Sequence, residues 1–162
     1  MNKFFAVLIC TFITLESHAL TPRLNINQEI DFGEVMFVPG NCTMNHQTGA
    51  FTLTNPAGKC GGYGNGTPAR YVIIANPNKQ VRIKLLQRTN SGDGYLFIPA
   101  GEIISDTETL SITPDIAQDI DSGTSGIIQI NMGGSLYWSL PIAPGINVDF
   151  TREDGIEWSE LP

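Results

Sequence analysis

The chain has 162 residues, with nine lysines and arginines against sixteen aspartates and glutamates, for a net charge of −7. That balance excludes a protein whose work is to hold nucleic acid or an anionic membrane surface, since both demand a basic face. The length suits one domain with its own core.

The first residues, MNKFFAVLICTFITLESHA, combine a lysine at position 3, an apolar run from Phe4 to Leu15, and small residues at Ser17 and Ala19. This is the pattern of a secretory signal peptide, cut after Ala19. A membrane anchor needs roughly 20 apolar residues and the run falls well short of that. Residues 20–162 are then a single exported domain, secreted, periplasmic or at the cell surface. The leader takes one lysine and one glutamate with it, so cleavage leaves the charge unchanged.

Beyond the leader, nearly every patterned segment alternates with period 2, and none holds a helical period for ten residues. In RLNINQEIDFG, Leu24, Ile26, Ile30 and Phe32 fall at even positions, which predicts a strand with one buried face and Gln28 interrupting the row. The segments CTMN and AFTLT flank NHQTG (45–49), which reads as a hairpin tip with His46 solvated on it. RYVIIA (70–75) and QVRIKLL (80–86) flank NPNK, a proline-containing turn that predicts a hairpin. TPDIAQDID (113–121) is the one place for a short helical turn, with Pro114 and Asp115 near its start. SGIIQIN (125–131), SLYWSLP (135–141) and INVDFT (146–151) read as three further strands separated by MGG and IAPG. With 17 glycines, 10 prolines and turn signals about every ten residues, the pattern is that of an all-β sandwich or barrel. Trp138 alternates with Leu136 and Leu140 and belongs to the core, whereas Trp158 follows the charged REDG and fits either core or a surface contact.

Cysteine arithmetic follows from the compartment. Cys10 leaves with the leader, so Cys42 and Cys60 remain as an even pair in oxidising surroundings, and a disulfide is the first reading. A metal at Cys42, His46 and Cys60 would need a fourth ligand; the other histidine, His18, lies in the leader, and the spacing fits no common zinc pattern.

Histidine is the commonest general base near neutral pH, but the chain has no G-x-S-x-G elbow, H-E-x-x-H pair or S-x-x-K motif, and no catalytic residue is assigned. The glycine run GGYGNG (61–66) leads into Thr67, Pro68 and a strand, so it reads as a flexible connection rather than a phosphate cradle. Asp119, Asp121 and Gly123 give a fragment of the D-x-D-x-G spacing of calcium loops, without the distal glutamate, which leaves a weak calcium candidate in a solvated acidic loop. Asn41-Cys-Thr43 and Asn65-Gly-Thr67 fit the glycosylation sequon, both in expected loops, and matter only in a eukaryotic host.

Three segments, IDFGEVMFVPG (30–40), NPNKQVRIKL (76–85) and INMGGSLYWSLPIAPG (130–145), resemble in that order a bacterial family, domain-of-unknown-function family 4402. Its members carry a leader, a D-F-G-x-x-x-P-G-like start, a G-G-x-L segment and a P-G turn before the last strand. The resemblance spans roughly residues 22 to 150. It implies a secreted, immunoglobulin-like antiparallel β-sandwich with looser likeness to pilin-type and spore-coat-type surface subunits, and it brings no catalytic residues. The chain departs from the family at the Cys42–Cys60 pair and at VDFTREDGIEW, where Arg152 to Asp154 read as a charged cap on the final strand. Chaperone-assisted pilins borrow a strand from a neighbour. Here only LTPR precedes the first alternating run and INVDFT can supply the last strand, so a self-complete domain is expected.

The functional expectation is an exported, non-enzymatic surface or extracellular protein with a structural or adhesive, fimbria-like role. Its candidate partners are other surface or fimbrial subunits, and no cofactor is called for. The alternative is a periplasmic small-ligand binding module or small hydrolase using His46 and the acidic loop.

Overall fold

A computed structural model of the chain describes residues 21–33, 39–53, 60, 65–90, 94–139, 147–148 and 155–162. The expected leader, the glycines at 61, 62 and 64, the P-G turn at 144–145 and the charges Arg152 to Asp154 lie outside them. The described residues contain no helix. In chain order the strands are β1 (Arg23–Gln28), β2 (Ile30–Asp31), β3 (Gly40–Met44), β4 (Phe51–Leu53), β5 (Ala69–Ile74), β6 (Gln80–Leu85) and β7 (Arg88–Asn90). There follow β8 (Tyr95–Ile104), β9 (Thr109–Ser111), β10 (Gln118–Asp121), β11 (Ile127–Trp138), β12 (Asn147–Val148) and β13 (Ile156–Glu160). They form an antiparallel β-sandwich, as the alternation predicts.

The larger sheet is organised around β11. One edge of β11 pairs with β5 over its first half and with β3 over its second; the other edge pairs with β8 along ten residues. β1 extends the sheet beyond β5, β4 beyond β3, and β7 and β9 take the two ends of β8. The smaller sheet is β10-β6-β13, and β2 pairs with β12. Alternation decides what each strand buries. In β6, Val81, Ile83 and Leu85 point inward, while Arg82 and Lys84 point out and meet Asp119 at 2.7 Å and Glu157 at 3.4 Å on the neighbouring strands. In β11, Ile128, Ile130, Met132, Leu136 and Trp138 enter the core between the sheets, with Tyr71 and Ile73 of β5 and Phe97 and Ile103 of β8. Phe32, fully buried, lies 6.0 Å from Phe51 and 5.5 Å from Phe97, the second contact edge-on.

Several expectations fail for reasons that lie between elements. The segments flanking NPNK are strands, but they do not pair: β5 belongs to the larger sheet and β6 to the smaller. The connection bonds instead to the loop before β11. Ala75 N–H donates to Gly126 O at 2.8 Å and Asn78 N–H to Gly123 O at 2.7 Å. The buried Ser122 hydroxyl accepts from Lys79 N–H and donates to Asn76 O. MGG is no turn either, because β11 runs through it as one strand of 12 residues. A Cβ on Gly133 would lie 2.3 Å from Met44 O, so a residue without one is required where β3 and β5 part company.

At 113–121 there is no helical turn; residues 118–121 form β10, with Asp115 at φ 60° before it. The final strand is not INVDFT, of which Asn147 and Val148 pair with β2, but β13, which pairs with β6 and packs Trp158 against the core. The first alternating run divides where Gln28 interrupts it: a register shift lies between Ile26 and Gln28, the last residue of β1, and Ile30 then enters β2. Ile26, expected in the core, is 43 % exposed.

β8 is absent from the alternation pattern because Pro99 and Gly101 stand inside it. Gly101 O accepts from Ile112 N–H on the strand's outer edge, and alternation puts the Pro99 nitrogen on that same edge. There it falls in the gap between β7 and β9, where the missing N–H leaves no ladder bond unmade.

Candidate functional site: a polar row across the larger sheet

On the outer face of the larger sheet, the register aligns Gln28 of β1, Arg70 of β5, Asn131 of β11, Glu102 of β8 and Ser111 of β9 in one row. Each belongs there because its inward neighbours, such as Tyr71, Ile130 and Ile103, take the core face. The irregularity in β1 turns Asn27 and Gln28 together toward Arg70, the re-aiming of side chains that bulges commonly produce. Asn27, Gln28, Arg70, Val72, Gln129 and Asn131 line an open groove of about 300 Å³. Gln28 Nε2 donates to Pro68 O at 2.9 Å. Among the described residues, the amides of Asn27, Gln129 and Asn131 have no protein partner.

The β3–β4 turn closes one side of this row. Asn45 Oδ1 accepts from the N–H groups of Gln47 and Thr48, each at 2.9 Å, and so shapes the turn. Arg70 then holds it from below, donating to His46 O at 2.6 Å, Gln47 O at 3.1 Å and Ala69 O at 3.1 Å. The expected hairpin tip is therefore present, but His46 is not free in solvent on it. The turn folds back over Gly133, the imidazole is only partly exposed, and Nε2 points toward Glu102 Oε2 at 3.5 Å. That separation is longer than a normal hydrogen bond, so the contact is an ion pair when the imidazole is protonated.

Comparison of the chain with protein-family models, curated proteins and solved structures returns no match. What the site can do therefore rests on its own chemistry.

The other residues singled out from sequence fall elsewhere. Cys42 and Cys60 are joined in a disulfide, with Cα atoms 6.2 Å apart and a sequence separation of 18, and the bridge encloses the β3–β4 hairpin. Asp119 is held by Arg82 through two bonds of 2.7 Å, which pull its carboxyl below the ordinary carboxylate range. Asp121 Oδ1 accepts from Gly123 N–H, so the D-x-D-x-G spacing is used here for a turn and an ion pair. Among the described residues, no three His, Cys, Asp or Glu side chains gather as metal ligands do. Asn41 lies in β3 rather than in a loop, with Oδ1 buried, while Asn65 is exposed.

Sequence reading missed Asn27, Gln28, Arg70, Glu102, Gln129 and Asn131 as a group. Gln129 and Asn131 carry a signal, being polar, outward residues in the otherwise apolar first half of β11. Their convergence with β1 and β8 comes from pairing between distant strands.

Proposed function

We propose that the chain is an exported, non-enzymatic β-sandwich acting at the bacterial surface through binding, in a structural or adhesive, fimbria-like role. The observation that carries this reading is the Cys42–Cys60 bridge around the β3–β4 hairpin, a bond that persists in oxidising compartments and not in a reducing cytosol. The leader-like residues 1–19 and the resemblance to domain-of-unknown-function family 4402 support the same reading. A smaller sheet completed by β13 from within the chain favours a self-complete domain over one awaiting a donated strand. Cell fractionation, followed by size-exclusion chromatography and electron microscopy of the exported protein, tests it. The expected result is export, with assembly or surface attachment; retention inside the cell overturns it.

The groove beside His46 and Glu102 supports a second reading, a periplasmic module for a small ligand. Assays of the purified protein against neutral ester and glycoside substrates separate binding from hydrolysis. Turnover abolished by His46→Ala would establish the hydrolase and overturn the non-enzymatic reading.

A further inference from the structure

We infer that the groove on the larger sheet is a binding site for a neutral saccharide. The inference deepens the adhesive reading and rests on it only for where the saccharide is met. Three primary amides, Asn27, Gln129 and Asn131, line the groove without protein partners among the described residues. Each amide offers two donors and an acceptor, and a ligand that satisfies them must present donors and acceptors side by side, as vicinal hydroxyl groups do. Val72 supplies an apolar patch beside Gln129, its register neighbour, against which the C–H face of a sugar ring can rest. The volume, about 300 Å³, stands at the lower end of small-ligand sites and suits one or two rings.

Charge decides the class. Arg70 is the cation in the groove, but its guanidinium already donates to three backbone carbonyls, and Glu102 stands beside Asn131 on the next strand. With a net charge of −7 on the whole chain, nothing in the groove favours an anionic ligand. A peptide added as a strand is also disfavoured, because the groove lies on a sheet face whose backbone groups are committed to β1, β5 and β11.

The test is an NMR titration of the exported, disulfide-linked protein with maltohexaose, cellohexaose and chitohexaose, and with hexagalacturonic acid as the anionic comparison. At least one neutral hexamer is expected to shift the side-chain amide signals of Asn27, Gln129 and Asn131, with Kd in the micromolar to millimolar range. Joint Gln129→Ala and Asn131→Ala substitution is expected to weaken binding about tenfold or more, with the thermal midpoint unchanged because both side chains lack structural partners. No shift with any neutral hexamer at about 10 mM overturns the inference. So do shifts confined to another face, tighter binding of the anionic hexamer, or concentration-dependent self-association that covers the same amides. Export is measured separately by fractionation, so a failure of binding leaves the localisation reading standing.

Discussion

Arg70 donates to the carbonyl oxygen of His46 at 2.6 Å, joining β5 to the β3–β4 turn across 24 positions of sequence. Two more bonds, to Gln47 O and Ala69 O, make this guanidinium the clamp that lays the β3–β4 turn over the sheet and sets His46 opposite Glu102. Arg70→Ala is expected to destabilise the protein by about 1–3 kcal/mol, since carbonyls of the turn lose a charged donor. Arg70→Lys should restore little of this, because a single ammonium cannot span the set. Urea denaturation and hydrogen exchange in residues 45–49 check both.

Gly133 admits the turn to its place. Gly133→Ala puts a methyl group 2.3 Å from Met44 O and 2.9 Å from His46 N, against backbone that is itself paired. The expected cost is about 1–3 kcal/mol, as for other overpacked sites, with the β3–β4 hairpin displaced. Thermal unfolding together with amide chemical shifts of residues 44–48 measures it.

The Cys42–Cys60 bridge closes a loop with a sequence separation of 18 residues. On the chain-entropy account, replacing both cysteines by serine should lower stability by about 3 kcal/mol. Denaturant unfolding of the oxidised protein and the double variant gives the difference. Intact mass showing two free thiols in protein purified without reductant would refute the bridge.

Ser122 is buried and holds the crossing between the two sheets, accepting from Lys79 N–H at 2.9 Å and donating to Asn76 O at 2.7 Å. Ser122→Ala leaves both groups short of a partner and should cost about 1–3 kcal/mol. Ser122→Thr keeps the hydroxyl and tests whether the bonds or the volume matter; a chevron or equilibrium melt of each variant decides.

Asp106 accepts from the Thr124 hydroxyl at 2.8 Å and from Ser125 N–H at 3.0 Å, and the Thr124 bond foremost holds its carboxyl below the ordinary range. Because the folded pKa is the lower one, the contribution to stability is present above the unfolded value of about 3.9 and is lost as pH falls through the folded value. Stability should therefore decline from about pH 4 downward, and Asp106→Asn should flatten part of that decline. Carboxyl NMR titration and melting curves across the acid range test the sign; an Asp106 midpoint above the free-residue value overturns it.

Strands β1 to β6 and β11 were legible, because alternation is a local property: Val81, Ile83 and Leu85 announce a half-buried strand wherever that strand goes. β7 to β10 and β13 were not read as strands. The pairing of Cys42 with Cys60 was legible, once Cys10 is assigned to the expected leader. Gln28 showed as an interruption, and a register shift stands there. What local pattern could not carry was pairing. NPNK joins two strands in either a hairpin or a crossing between sheets, and the bonds from Gly123, Gly126 and Ser122, more than 40 residues on, select the crossing. Met132-Gly133-Gly134 has the composition of a turn, yet the approach of Met44 and His46 makes it the middle of the longest strand.

Sequence by itself determined the all-β class, the hydrophobic faces and the cysteine pair, because side-chain alternation and the number of thiols act within short stretches or by simple count. The tertiary structure alone decided which strands are neighbours, and with that it made the polar row. Gln28, Arg70, Asn131, Glu102 and Ser111 come from five strands spread over more than 80 residues, and only interstrand register brings them onto one line.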